Sequence, residues 1–140
     1  MQLIKGAHSS PRVLVVDDQK DVQDTTVAIL RAEGYVVVRA ADGIEALERL
    51  RKNEIDVMIL DLGLPRMDGP TLLEELDESP AVVVCSAFGE WDAAEILRRF
   101  GSTIVECLHK PVSPIRLIAA TAAAAQVRAR ASSCERSQGP

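Results

Sequence analysis

Five short apolar runs, at residues 13–16, 36–39, 57–60, 82–85 and 104–108, punctuate the chain, and the stretches between them carry apolar residues three or four positions apart. Apolar strands alternating with amphipathic helices are the pattern of a doubly wound α/β sheet, whose strands are buried on both faces. The runs are therefore expected as β1 to β5. Between the first two, Val22, Thr26, Ile29, Leu30 and Glu33 share one helical face, and Gly34 supplies a C-terminal stop. Ile44, Leu47 and Leu50 place a second helix after Asp42-Gly43, and Asp68-Gly69-Pro70 opens a third, expected to end near Asp77. A fourth helix over residues 91–100 closes at Gly101, and a fifth follows Ser113-Pro114 and carries the alanine-rich residues 119–125. Right-handed crossovers and buried central strands favour a five-stranded parallel sheet in the order 2-1-3-4-5.

With 140 residues the chain has room for one domain with a real core, expected at residues 12–130 between an N-terminal extension, 1–11, and a flexible polar C-terminal tail, 131–140. Apolar residues make up 47% of the chain but aromatics only 3%, so the core must be built from Val, Leu, Ile and Ala. No apolar run approaches the roughly 20 residues of a membrane span, and the first ten residues do not form a signal peptide; a cytoplasmic protein without membrane contact is expected. The net charge of -5 disfavours a nucleic-acid surface, and Arg116, Arg128, Arg130 and Arg136 read as solvated helix and tail. Cys85, Cys107 and Cys134 lack metal or disulfide spacing, the first two reading as small apolar fillers, and neither His8 nor His109 has a metal partner at recognisable spacing.

The chemistry lies at the strand ends. Asp17-Asp18 closes the first run, Asp61 the third, and in an open parallel sheet ligands bind beyond the carboxyl ends of the strands. Carboxylates gathered there repel one another and call for a cation, with Mg²⁺ the best match because it takes oxygen ligands and phosphate oxygens together. Capping of the first helix is the other use of an acid at Asp17 or Asp18, and it leaves Asp61 unexplained. An ionised Asp61 is a natural nucleophile toward a phosphoryl group. Ser86 follows the fourth run and Lys110-Pro111 the fifth, so a hydroxyl and a cation join the same edge.

The order Asp17-Asp18, Asp61, Ser86, Lys110-Pro111, the stretch Ala-Ala-Asp-Gly-Ile-Glu-Ala-Leu at 40–47 and Asp-Leu-Gly-Leu-Pro-Arg-Met-Asp-Gly at 61–69 together resemble the receiver domain of two-component response regulators, over about residues 12–128. The resemblance implies a flavodoxin-like fold, close to the stand-alone chemotaxis regulators. It implies that Asp61 accepts a phosphoryl group from a sensor histidine kinase or phosphotransfer protein, and that Asp18, Asp61 and the Gly63 carbonyl ligate Mg²⁺ directly while Asp17 assists through water. Lys110 would pair with phosphoryl oxygens, Ser86 would hydrogen-bond one of them as the switch hydroxyl, and the Lys110-Pro111 bond would be cis. Such a chain phosphorylates and dephosphorylates itself but is no enzyme toward other substrates, and it signals by contact with a downstream protein.

Three features depart from the family pattern. Cys107 stands where receivers place a switch Tyr or Phe, Val112 replaces a common Phe after Lys-Pro, and the stretch from Asp61 to Ser86 is short. Gly63 offers no side chain where receivers tune the lifetime of the phosphoryl group, leaving Phe88 to shield the site or to anchor its loop, and Trp91 to pack or to meet a partner. Cys107 makes an alternative credible, an atypical receiver acting as a largely phosphorylation-independent protein-binding module. A phosphatase with an aspartate nucleophile ranks behind both, because Gly63 occupies the place of its second acid.

Overall fold

The structure, a computed structural model, describes residues 10–87 and 93–137. Its five strands, β1 (Arg12–Val16), β2 (Val36–Ala40), β3 (Val57–Asp61), β4 (Ala81–Ser86) and β5 (Ile104–His109), are all parallel and lie in the order β2-β1-β3-β4-β5. The helices are α1 (Lys20–Ala32), α2 (Gly43–Lys52), α3 (Gly69–Glu74), α4 (Ala93–Phe100) and α5 (Pro114–Ser137). Among the described residues no helix is long and apolar enough to cross a membrane.

Side chains alternate across a strand, so the sheet divides its apolar residues between two layers. Val13, Val15, Val83, Cys85 and Leu108 meet Val27 and Leu30 of α1 and Leu117, Ala120 and Ala124 of α5. On the opposite face Leu14, Met58, Leu60 and Val84 meet Ala46 of α2, Leu72 and Leu73 of α3 and Ile96 of α4. Both faces of the central strands are therefore buried, which is why β3 and β4 read as continuous apolar runs.

Two helix ends differ from the sequence expectation. α3 stops at Glu74 rather than near Asp77. Its last turn holds no basic residue, and the following Glu75, Asp77 and Glu78 would add negative charge at the negative end of the helix dipole before Pro80. α5 continues to Ser137, into the segment expected from its polarity to be a loose tail; the helix is established over the alanine-rich residues 119–131 and runs on from there. α4 is described from Ala93, so Phe88 and Trp91, singled out in the sequence, lie outside the described residues.

Turn chemistry fixes how the elements meet. Gly34 sits at φ 96°, the left-handed geometry that ends α1. Asp42 caps α2 by accepting from the Glu45 N–H at 2.8 Å, while Glu45 returns a carboxylate oxygen to the Ala41 N–H at 2.6 Å. Gly43 is needed for a different reason: a Cβ there would lie 2.1 Å from the Met67 carbonyl oxygen, so α2 and the loop after β3 touch backbone to backbone.

Gly43→Ala is accordingly expected to cost about 1–3 kcal/mol of stability by overpacking. Gly34→Ala, where a Cβ meets nothing within 4 Å, should cost about 1 kcal/mol from left-handed strain alone. Urea denaturation of the two variants measures the difference; equal losses would show that the α2–loop contact yields freely.

Candidate functional site

The sheet order brings β1 and β3 side by side, with Val16 paired to Leu60, so Asp17 and Asp61 emerge next to each other at the carboxyl edge. Both are buried, whereas Asp18 is exposed. One carboxylate oxygen from each of the three acids lies within 4.8 Å of the others, an arrangement able to hold a metal ion. The cluster opens into a small cavity of about 180 Å³ lined by Asp18, Gln19, Asp61, Gly63, Ala87 and Lys110.

Lys110 arrives from β5, beyond the intervening β4. Its ammonium donates to Asp17 Oδ2 at 2.9 Å and to Asp61 Oδ2 at 3.0 Å. The backbone makes this reach possible: the Lys110 N–H donates to the Ser86 carbonyl at 2.9 Å, and a register shift between Val82 and Val83 advances β5 so that His109 pairs with Ser86. The Lys110–Pro111 peptide bond is cis, as the resemblance implies. The remaining oxygens of the buried acids also have donors, Gln19 N–H to Asp17 Oδ1 at 2.9 Å and Gly63 N–H to Asp61 Oδ1 at 3.1 Å.

The electrostatics follow from this packing. Burial pushes the Asp17 carboxyl above its ordinary pKa, and the hydrogen bonds and charge of Lys110 only partly offset it. For Lys110 burial favours the neutral amine, but the hydrogen bonds to Asp17 and Asp61 outweigh it and the ammonium is held more firmly than usual. Burial drives the Cys85 thiol up to about 12. Cys107, half-buried opposite Val84, packs against the layer of α2, α3 and α4, and burial with the nearby Glu106 raises its thiol as well.

The structure thus gathers Asp17, Asp18, Asp61, Gly63 and Lys110 around one volume, with Ser86 at the buried end of the neighbouring strand. Cys107 stands apart from that volume, inside its strand. His109 is exposed at the end of β5. Two contributors escaped the sequence reading. Arg66 adopts a left-handed φ of 65° in the loop after β3 and pairs with the cap residue Asp42 through Nε at 2.9 Å and Nη2 at 2.8 Å; nothing in its neighbours marks it. Gln23 is buried in the apolar seam of α1, and its polar side chain one turn before Val27 and two before Leu30 is the signal by which the sequence could have shown it.

Comparison with known proteins agrees with this geometry. Residues 13–122 match the response regulator receiver domain family. The chain is 40% identical over 111 residues to a protein-glutamate methylesterase/protein-glutamine glutaminase of Anaeromyxobacter dehalogenans, a match covering 76% of this chain and 31% of that protein. It is 32% identical over 94 residues to sporulation initiation phosphotransferase F of Bacillus subtilis, covering 65% and 76%. A solved receiver domain protein of Methanospirillum hungatei superposes with a TM-score of 0.77 at 26% identity, covering 87% of this chain and 98% of that one. The chain therefore spans less than a third of the methylesterase relative's length.

Lys110→Met should destabilise the metal-free protein by about 3 kcal/mol at neutral pH, because it leaves two buried acids facing each other. The sign with pH follows from Asp17, whose folded pKa is already raised and rises further once Lys110 is gone. An acid with a raised folded pKa weakens folding only where it must ionise, so the loss should shrink as pH falls into the carboxylate range. Urea titrations in chelator at several pH values test it; a pH-independent loss would show that Lys110 contributes packing rather than charge. Cys85 should resist iodoacetamide in the native state near pH 8 and react only on unfolding, as read by peptide mass spectrometry.

Proposed function

The chain belongs to the response regulator receiver domain family, and from that footing we propose that Asp61 accepts a phosphoryl group from a histidine kinase or phosphotransfer protein in a Mg²⁺-dependent reaction. The observation that carries this reading is the Lys110 ammonium held between Asp17 and Asp61 at 2.9 and 3.0 Å, beside a third acid at the same strand edge. The protein then signals by contact with a downstream protein in the cytoplasm.

The acid cluster fits a hard divalent cation. Its donors are all oxygens, and three carboxylates against one ammonium leave two negative charges to be neutralised. Asp18, Asp61 and the Gly63 carbonyl would hold the ion, with Asp17 acting through water. When bound, Mg²⁺ supplies charge neutralisation for the transferring phosphoryl oxygens.

An Asp61 carboxylate oxygen attacks phosphorus while the bond from phosphorus to the donor's imidazole nitrogen breaks, and that nitrogen keeps the electron pair. The transferring group carries spread negative charge, so the work left to the protein is positioning and neutralisation. Lys110, protonated throughout because its pKa is raised, can pass its hydrogen bond from Asp61 to a phosphoryl oxygen. Ser86, one residue beyond the Cys85 that pairs with Asp61, would supply a hydroxyl to donate to another. The turnover is confined to the chain itself: it is acceptor and catalyst of its own modification.

The half-buried Cys107 favours a second reading. A thiol packed into the α2–α4 layer gives no ring to swing inward when Ser86 engages phosphate, which supports a module whose partner binding depends weakly on phosphorylation.

Intact mass after incubation with Mg²⁺ and acetyl phosphate separates these. The protein is expected to gain one phosphoryl group, and Asp61→Asn or chelator to abolish the gain. Equal partner affinity with and without a phosphoryl analogue, in a protein that does take up phosphate, would favour the second reading.

A further inference from the structure

Gln23 occupies a position where the packing of α1 asks for an apolar residue. It is buried together with Val27 and Leu30 along the seam that faces the sheet. A carboxamide placed there costs free energy unless each of its polar atoms is matched. All of them are. Nε2 donates to the Asp17 carbonyl at 3.0 Å and to the Ala40 carbonyl at 2.9 Å, and Oε1 accepts from Arg39 Nη1 at 3.3 Å.

Those two carbonyls sit where the β1–β2 ladder gives out. The last paired residues are Val16 and Ala40, after which the Asp17 N–H donates to the Ala40 carbonyl at 3.1 Å. The Gln23 amide takes up the next step, standing in for a peptide group between the two strand ends. It fixes the main chain of Asp17 while Lys110 and the Gln19 N–H fix its carboxylate. Asp18, the exposed acid of the cluster, follows directly on this corner.

We infer that Gln23 is a positioning residue for the cation site: by pinning the Asp17 carbonyl to the Ala40 carbonyl it holds the Asp17-Asp18 corner in register with Asp61. The inference rests on the reading of the acid cluster as a Mg²⁺ site. Groups that orient ligands without touching the metal typically account for about 10–100-fold in affinity. Arg39, itself paired with Asp24 at 2.5 Å, anchors the far side of the amide.

The test is the Mg²⁺ dissociation constant from calorimetric titration of Gln23→Met, which keeps the length and removes both donors. Thr121→Val serves as the stability control, since it deletes a buried hydroxyl donating to the Leu117 carbonyl at 2.8 Å within α5. Gln23→Met should weaken Mg²⁺ about tenfold, while Thr121→Val loses thermal stability with the parent's affinity intact. Phosphorylation of Gln23→Met by acetyl phosphate should lag at low Mg²⁺ and recover at saturation. Should Gln23→Met not fold, Arg39→Met, which leaves both Nε2 bonds of Gln23 in place while freeing Oε1 and the exposed Asp24, is expected to weaken Mg²⁺ by less, about threefold. Parental affinity in the folded Gln23 variant, or in Arg39→Met where that variant alone folds, would overturn the inference. A parent protein that binds no Mg²⁺ would overturn the cation-site reading beneath it.

Discussion

One ammonium between two buried carboxylates ties the domain together at its carboxyl edge. Lys110 is 93 residues from Asp17 and 49 from Asp61 in sequence, yet it bonds to both. That contact exists only if β1 and β3 are neighbours, if β4 separates β3 from β5 by a single strand width, and if the end of β5 is advanced to lie beside Ser86. A one-residue slip of any of these strands would turn its terminal side chain to the other face of the sheet. The ion triad therefore depends on the correct register of three strands at once. It also sets the buried Asp17 and Asp61 beside the exposed Asp18, a gathering of like charge whose cost a bound cation would relieve.

Much of this was legible in the chain because two periodicities coincide with it. Strands buried on both faces read as unbroken apolar runs, and an acid terminating such a run, as Asp17 and Asp61 do, marks a strand edge with chemistry attached. Gly34 and Asp42 announced their helix ends by turn and cap preferences that depend on few neighbours. What stayed hidden depends on groups distant in sequence or on weak sums. The end of α3 at Glu74 reflects a dipole and charge balance of small terms, and the persistence of α5 to Ser137 reflects accumulated alanine propensity over a polar composition. Gln23 left a local trace in its own seam, but its partner carbonyl on Ala40 is 17 residues away and belongs to a different strand.

The core built from aliphatic side chains has a further effect on signalling. β5 presents Cys107 to the α2–α4 layer with Val84 as its neighbour, and this layer also contains the shortened α3. A switch between two states of comparable population needs several kcal/mol of differential interaction to be thrown decisively. A small thiol at Cys107, among aliphatic neighbours, would contribute to such a switch through slight repacking of the layer rather than through the movement of a large side chain at that position.

The loop after β3 carries Gly63 on one side and the left-handed Arg66 on the other. A non-glycine residue there costs roughly 1–2 kcal/mol of backbone strain, and what holds it is the guanidinium pair with Asp42 at the start of α2. The arginine is largely exposed, so its attraction to Asp42 weakens as dissolved ions accumulate over a Debye length of about 8 Å at physiological strength. At 2.8 Å the pair lies well inside that length, so salt weakens it only in part. Asp42 thus serves two masters, fastening the first turn of α2 with one oxygen and the strained bend beside the acid edge with the other.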